Sequence, residues 1–244
     1  MIEKRELFRK GLTKESMFNE YKLEDLLMIG EFIGRNVVFF KDLYKGYMTK
    51  KELAEFKSSK GAKVIATFDW ASETVKINRG SIEFDFTIDL FLIFMNLIDT
   101  CFLEIIPLAS IVDLDWDFMD KNVRETMTKS NMGALVVISG RKISLERGMN
   151  NIVVDYIGRL WPFGETEYMP PILLSNVMIK SIVHKGLVND VEKEVVNRYR
   201  LDLIDKKQRS TMFISDSELD VIRTRAVAAN QLNDEIKREG ESNG

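Results

Sequence analysis

The hydrophobic pattern is most regular near the middle of the chain, where two apolar runs occupy residues 134–139 and 152–160. Val, Ile and Leu dominate both runs, and β-branched side chains pack well on the pleated surface of a sheet. Turn-forming Asn, Gly and Pro residues bound the two runs. The pattern therefore predicts two buried strands separated by a polar connection, with Gly140 as the turn residue after the first.

The N-terminal part of the chain has a helical period instead. Apolar side chains recur at spacings of three and four in residues 14–34, which predicts a helix, and residues 2–10 suit a shorter one. We expect Gly11 to end the short helix and Thr13 to cap the next. Residues 49–52, Thr-Lys-Lys-Glu, match a capping box and predict a further helix that ends at Gly61.

The period then changes to two. Residues 64–68, 75–77 and 82–86 alternate between apolar and polar side chains, which predicts a three-stranded meander with one solvated face. The alternation places Glu83 and Asp85 on the outer face. A carboxylate pair can bind a cation or act as acid and base, but a solvated strand face is the commoner explanation.

A long apolar run follows at residues 88–106, interrupted by polar residues such as Asp99 and Glu104. Its purely apolar part is far shorter than the roughly 20 residues that span a bilayer. We therefore predict a buried helix or a pair of strands, and no insertion into a membrane. Cys101 has apolar neighbours and no group that would lower its pKa, so we interpret it as a small buried hydrophobic residue.

Pro107 marks the boundary between the two halves of the chain. The hydrophobic pattern of the second half predicts further strands and helices. Strands are predicted at residues 110–115, 172–174 and 177–184, and amphipathic helices at residues 189–206 and 216–239. The fold class is therefore α+β, with mixed or antiparallel sheets and helices at the N-terminus, middle and C-terminus. We divide the chain into an N-terminal α+β region (1–104), a β-rich domain (105–188) and C-terminal amphipathic helices with a frayed tail (189–244).

Composition narrows the class of protein. With 45% hydrophobic and 30% charged residues, the 244-residue chain can bury a substantial core. A net charge of −3 and a pI near 5.5 argue against a dedicated nucleic-acid binder. The single cysteine excludes an intramolecular disulfide, and the N-terminus lacks the pattern of a secretory signal. Both observations predict a cytoplasmic protein.

The sequence contains no recognisable catalytic motif. We find no glycine-rich phosphate loop, nucleophile elbow, HExxH or CxxC, and therefore predict a protein that is not an enzyme and binds no cofactor and no metal. Four aspartates have a spacing similar to a calcium loop: Asp113, Asp115, Asp117 and Asp120. They lack the glycine and the closing glutamate of such a loop, so we interpret them as exposed acids. His184 is the only histidine and is interpreted as an exposed strand residue.

Four short motifs follow one another between residues 106 and 186. They are a strand opening with Ile106-Pro107-Leu108-Ala109-Ser110, an apolar strand ending in Gly140-Arg141, an Asp155-Tyr156 strand leading to Trp161-Pro162-Phe163-Gly164, and a strand ending at Gly186. In this order they resemble a small bacterial family of unknown function, encoded in Gram-positive type VII secretion gene clusters beside LXG-type polymorphic toxins. Where that family has a glycine in the first motif, this chain has Ala109.

The resemblance implies a non-catalytic accessory protein, similar to a chaperone or targeting factor, that binds an LXG-type toxin or its helical partner in the cytoplasm. Binding would use strand addition or a helix in a groove, with the terminal amphipathic helices as candidate elements. The motif residues are then either structural or partner-binding. An alternative is an immunity protein whose acidic residues face a basic toxin. A third possibility is a DNA-binding regulator that uses residues 49–61 as part of a helix-turn-helix, although that segment is not basic enough to resemble a recognition helix.

Overall fold

The computed structural model describes residues 3–56, 63–119, 121, 124–125, 133–145, 151–167, 170–215 and 218–220. The helices are α1 (Lys4–Lys14), α2 (Leu23–Arg35), α3 (Val37–Met48), α4 (Ile88–Phe102) and α5 (Asp190–Asp205). The strands are β1 (Leu53–Phe56), β2 (Val64–Asp69), β3 (Thr74–Arg79), β4 (Ile82–Thr87), β5 (Ile111–Leu114), β6 (Leu135–Ser144), β7 (Ile152–Leu160), β8 (Ile172–Leu174), β9 (Ile179–His184) and β10 (Arg209–Ser210). The predicted α+β class is confirmed.

The first sheet is antiparallel and has the order β1-β2-β3-β4. Strands β2 to β4 form the predicted meander, in which Val75 pairs with Phe86 and both are buried. Glu83 and Asp85 are exposed on the opposite face, as the alternation predicts. Glu83 forms an ion pair with Lys76 on the neighbouring strand, so it belongs to a solvated strand face.

Helix α4 is the centre of the larger hydrophobic core. Thr87 caps it by accepting a hydrogen bond from the Leu90 amide at 3.2 Å. Every residue from Phe94 to Phe102 is buried, and α1 and α2 pack against the helix. Cys101 is buried here as predicted, and burial raises the pKa of its thiol to about 12. Among the described residues, no helix combines the length and apolar character that a membrane crossing requires.

The second sheet contains the two central apolar runs as the β6–β7 hairpin. Its strand order is β10-β7-β6-β5-β9, and β8 also pairs with β7. All of these pairings are antiparallel except that of β10 with β7. Buried residues such as Val112, Val136 and Tyr156 form a second core on one face of this sheet.

The predicted helix from the capping box at residues 49–52 is wrong. Helix α3 ends at Met48, and residues 53–56 form strand β1, which pairs with β2 along its whole length. Phe56 stacks on Phe39 with ring centroids 5.3 Å apart. A strand that completes a sheet gains inter-strand hydrogen bonds and this ring contact, whereas an isolated helical turn has a costly nucleus. Residues 57–62 lie outside the described part of the chain.

The predicted helix boundary at Gly11 and Thr13 is also wrong. Helix α1 continues through both residues to Lys14, and the next helix, α2, begins only at Leu23. A Cβ atom at Gly11 would lie 2.9 Å from the side chain of Leu97, so this glycine permits close packing of α1 on α4. The Thr13 hydroxyl donates to the carbonyl oxygens of the preceding turn instead of capping a helix.

The predicted strand end at Gly140 and Arg141 is a third error. Strand β6 continues through both residues to Ser144, with a bulge at Ser139. Arg141 pairs with Tyr156 on β7, so the hairpin is longer than the apolar run alone indicates. A bulge accommodates the extra residue without ending the ladder.

The C-terminal region packs on the larger core and extends the second sheet. Helix α5 confirms the first predicted amphipathic helix, and the Asn189 side chain caps it by accepting from the Glu192 amide. Leu203, Ile204 and Phe213 are buried, and the last two belong to the larger core. Strand β10 extends the second sheet. Of the second predicted C-terminal helix, residues 216–239, only 218–220 lie within the described residues; the division of the chain into three parts stays a prediction.

Candidate protein-binding surface

Three motif residues lock the corner where β5 begins and β9 ends. The Ser110 hydroxyl donates to the Pro107 carbonyl oxygen at 2.8 Å and accepts from the Gly186 amide at 3.0 Å. A Cβ atom at Gly186 would lie 2.0 Å from the backbone oxygen of Leu108, so no larger residue fits without a backbone shift. Pro107, Ser110 and Gly186 therefore have a structural explanation.

Ala109 lies in the same corner with a left-handed backbone, φ +62°. Its amide donates to the Ile138 carbonyl oxygen at 2.8 Å, which ties the corner to β6. An L-residue in this region is strained by about 1–2 kcal/mol, whereas glycine is not. This chain therefore has an alanine at a position where the backbone conformation favours the glycine of the family that the motifs resemble.

Arg141 joins the second sheet to helix α5. Its guanidinium pairs with both carboxylate oxygens of Glu192 and lies 5.4 Å from the ring centroid of Tyr199. The hydrogen bond to Glu192 raises the pKa of Arg141 above its ordinary value. Its neighbour Gly140 packs closely, since a Cβ atom there would lie 2.9 Å from the Ile143 side chain.

Asp155 belongs to a buried charged network that the sequence interpretation missed. The Lys142 ammonium donates to Asp155 Oδ1 at 2.7 Å and lies 3.8 Å from Asp99 Oδ2. The Ser210 hydroxyl donates to Asp155 Oδ2 at 2.8 Å. Burial raises the pKa of Asp99 to about 6. Burial opposes the charge of Lys142 as well, but Asp155 and Asp99 raise the pKa of this lysine.

Tyr156 extends the network to the segment that follows α4. Its hydroxyl donates to Asn176 Oδ1 at 2.9 Å and accepts from the Ile106 amide at 3.1 Å. The Asn176 amide in turn donates to Asp99 at 2.9 Å. Burial raises the pKa of Tyr156 well above its ordinary value. Helix α4, β6, β7 and the chain after them are therefore held together by polar contacts in an apolar setting.

This network has the residue types of a proton-transfer site but not its access. The side chains of Lys142 and Asp155 are only 3% and 1% exposed, so a substrate could not reach them in this conformation. The network therefore has a structural role, which is to link α4, β6 and β7. A sequence signal did exist, because Asp99 and Asp155 each interrupt an apolar run, and a charge inside a buried element needs a partner.

The third motif forms a turn at the end of β7 that is directed toward solvent. The Trp161–Pro162 peptide bond is cis, and Gly164 has φ +70°, a conformation that favours glycine. The Gly164 amide donates to the Leu160 carbonyl oxygen at 3.0 Å and closes the turn. Trp161 is 45% exposed and Phe163 is 50% exposed, so neither aromatic side chain serves chiefly as a core residue.

The second sheet has an apolar face opposite its buried core. Strand alternation and register place Ile111 beside Val137, Ile157 beside Leu173, and Leu135 beside Trp161. We call these six residues the outer face. Leu173 is 55% exposed and the four residues Ile111, Leu135, Val137 and Ile157 are half-buried. Within the part of the chain that the structure describes, none of the six belongs to either hydrophobic core.

Two charged residues lie among the outer-face residues: Arg159 in the middle and Asp113 beside Leu135. Arg159 pairs with Val137 across the strands, and Val137 pairs with Ile111. One guanidinium nitrogen, Nη2, donates to Glu165 at 2.9 Å. The other two, Nε and Nη1, are buried and have no hydrogen-bond partner. The sequence does not indicate these unpaired nitrogens, because Arg159 occupies an ordinary polar position in an alternating strand.

A second exposed apolar area lies at the corner described above. It comprises Leu108, Val183, Leu187, Val188 and Val191, and we call it the corner patch. Leu187 is the most exposed of them at 77%. The corner patch includes the first turn of α5, whereas Leu203 and Ile204 near the end of that helix are buried and unavailable to a partner.

Three of the four aspartates in the predicted acidic group form ion pairs with two lysines. Asp115 and Asp117 both accept from Lys45, at 2.7 and 3.1 Å, and Asp113 lies 3.6 Å from Lys180. Partial burial opposes the charge of Asp115, but the hydrogen bond from Lys45 lowers its pKa. Asp120 lies outside the described residues. Across the described ranges, no group of three or more His, Cys, Asp or Glu side chains could hold a metal ion, and His184 is exposed on β9.

Comparisons with known proteins provide no information about the function of this surface. The chain matches no protein-family model, no curated protein and no solved structure.

Proposed function

We propose that the protein is a non-catalytic cytoplasmic accessory factor that binds a type VII-secreted LXG-type toxin, or the helical partner of that toxin, before export. The identity of the partner comes from the resemblance of the four motifs. The nature of the activity comes from the surface, where the outer face combines the exposed side chains of Trp161 and Leu173 with half-buried apolar side chains from three neighbouring strands. Exposed apolar patches of this kind mark interaction sites.

The motif residues fall into two groups, buried ones with a structural role and exposed aromatic ones, and the second group supports this proposal. Those in the corner and in the buried network make internal hydrogen bonds, which the fold itself explains. Trp161 and Phe163 are the motif aromatics left exposed, and Trp161 lies on the outer face. Tryptophan, tyrosine and arginine dominate the binding energy of many interfaces, and the outer face has Trp161 beside Arg159.

A binding series with purified proteins tests the proposal. The probes are the N-terminal export region of an LXG-type toxin, the small helical partner of such a toxin, and its C-terminal toxic domain. We expect binding to the export region or the helical partner, and loss of export in a deletion strain. Failure to bind either of these two probes would refute the accessory role.

Two matched leucine variants locate the contact. Leu173→Glu places a charge on the outer face, and Leu187→Glu places one on the corner patch; both leucines lie outside the two cores. We expect Leu173→Glu to weaken binding by about 10-fold or more, because burying an unpaired carboxylate opposes association. Leu187→Glu should bind as the wild type does. The opposite result would move the site to the corner patch.

The alternative of an immunity protein is tested in the same series. Binding confined to the toxic domain, together with protection of cells from it, would favour that function. The support that it had from the acidic residues is reduced, because three of the four aspartates form ion pairs with Lys45 and Lys180 inside this chain. The DNA-binding alternative has lost its predicted helix, since residues 53–56 form a strand.

A further inference from the structure

We infer that the side chains of Lys142 and Asp155 condense into an intramolecular isopeptide bond, with Asp99 as the residue that transfers the protons. The bond would join strands β6 and β7 covalently inside the fold. The reaction is a single self-modification of the chain and needs no incoming substrate, so the burial that keeps substrates out is no obstacle to it. The inference is independent of the proposed function, because it concerns buried groups and not the outer face.

The two reacting groups are already in contact. Lys142 Nζ lies 2.7 Å from Asp155 Oδ1, and both side chains are almost completely buried. Groups held together in this way within one chain can react as if each were present at about 10⁵–10⁸ M. The fold therefore replaces the encounter between amine and carboxyl group that a reaction in solution requires.

Burial also favours the product over the ion pair. In water, the solvation of a free ammonium and a free carboxylate opposes the formation of an amide from them. Lys142 and Asp155 lack that solvation, because their side chains are only 3% and 1% exposed. Condensation replaces two buried charges by one neutral amide, which is far cheaper to keep away from water.

The reaction balances within the chain. The Lys142 ammonium passes one proton to Asp155, which leaves a neutral amine and a neutral carboxyl group. The nitrogen then attacks Asp155 Cγ, and Asp99 accepts a proton from the nitrogen and gives its own proton to the departing hydroxyl group. One C–N bond forms, one C–O bond breaks, and one water molecule leaves. Asp99 ends the reaction protonated, as it began, and no oxidant, reductant or co-reactant takes part.

Two neighbouring side chains orient the carboxyl groups. The Ser210 hydroxyl donates to Asp155 Oδ2 at 2.8 Å, where negative charge develops during the attack. The Asn176 amide donates to Asp99 Oδ1 at 2.9 Å, and Asp99 Oδ2 lies 3.8 Å from Lys142 Nζ. A shift of about 1 Å brings this oxygen within hydrogen-bond distance of the nitrogen. Ser210 and Asn176 are therefore positioning residues.

Asp99 can transfer protons in this way only while it carries one. Burial raises its pKa to about 6, and the titratable or charged groups around it are Lys142, Asp155, Tyr156, Cys101 and Arg200. With a pKa of about 6, the protonated fraction of Asp99 falls from about nine-tenths at pH 5 to about one-hundredth at pH 8. We therefore expect condensation to be about 100-fold faster at pH 5 than at pH 8.

Mass spectrometry of the intact chain tests the bond. The protein is purified at pH 8 and then held at pH 5, and we expect its mass to fall below the sequence value by one water molecule. Trypsin should then release a peptide in which residues 142–147 are joined to residues 148–159, because it does not cleave after a modified Lys142. A mass that stays at the sequence value, or a loss of water without the joined peptide, would overturn the inference.

Three variants assign the roles. Lys142→Arg keeps the positive charge beside Asp155 but has no nucleophilic amine, so its mass should stay at the sequence value. Asp99→Asn cannot transfer the protons and should condense at least about 100-fold more slowly at pH 5. Lys185→Met removes a lysine from a half-exposed ion pair and should lose water as the wild type does. Condensation of Asp99→Asn at the wild-type rate would overturn the role of Asp99.

The bond would add to the stability of the folded chain, since it closes a loop covalently in the unfolded state. Unfolding comparisons of Lys142 and Asp99 variants with the wild type therefore use protein whose intact mass is still the sequence value.

Discussion

Removal of the Lys142 ammonium should be one of the most destabilising single changes in this protein. Lys142→Met keeps a long apolar side chain but leaves Asp155 without the cation that lies 2.7 Å away. Both side chains are almost completely buried, so water cannot replace the lost partner. Breaking a buried ion pair from one side costs about 3–5 kcal/mol, against a total stability of about 5–15 kcal/mol for a typical protein.

Urea unfolding monitored by circular dichroism measures this effect. With a urea dependence of about 3 kcal/mol per molar, a loss of 3–5 kcal/mol lowers the midpoint by about 1 to 2 M. Lys185→Met is the matched control, because Lys185 pairs with Glu104 at 2.5 Å while both side chains are about half exposed. That variant should lose no more than about 1 kcal/mol.

A double variant tests the cause of the loss. Lys142→Met with Asp155→Asn removes the uncompensated carboxylate but keeps an oxygen that can accept from Ser210. We expect it to recover part of the lost stability. If Lys142→Met unfolded at the same urea concentration as the Lys185→Met control, the network would contribute nothing and the reasoning would be refuted.

Two further predictions concern Asp99 and Ala109. Burial raises the folded-state pKa of Asp99 from 3.8 to about 6, so its contribution to stability is complete below about pH 4 and is lost as the pH rises through about 6. Asp99→Asn should therefore flatten the pH profile of the unfolding free energy between about pH 4 and 6. At pH 7 its unfolding free energy should exceed that of the wild type by a few kcal/mol. An unchanged pH profile would contradict the burial argument. Ala109→Gly relieves a left-handed alanine, worth about 1–2 kcal/mol, less about 0.4–1 kcal/mol for the greater freedom of glycine in the unfolded chain. Thermal unfolding should show a gain of at most about 1.5 kcal/mol in the free energy of unfolding, and a loss would show that the strain is absent.

The sequence by itself determined the elements whose signals are local. The period of two in β2, β3 and β4 and the amphipathic spacing of α5 lie within the elements that they specify. The α+β class follows from these elements alone. Local periodicity is sufficient here because each element presents its buried face through its own side-chain spacing.

Only the tertiary structure decided the features that depend on distant neighbours. Residues 53–56 became a strand because β2 pairs with them, and α1 continues through Gly11 because Leu97 packs against that glycine. The approach of Lys142 to Asp155 and Asp99 joins residues that are 13 and 43 positions apart. The burial of Arg159 Nε and Nη1 is likewise a property of the folded chain alone. Pairing, burial and desolvation act between residues remote in the chain, so no local pattern specifies them.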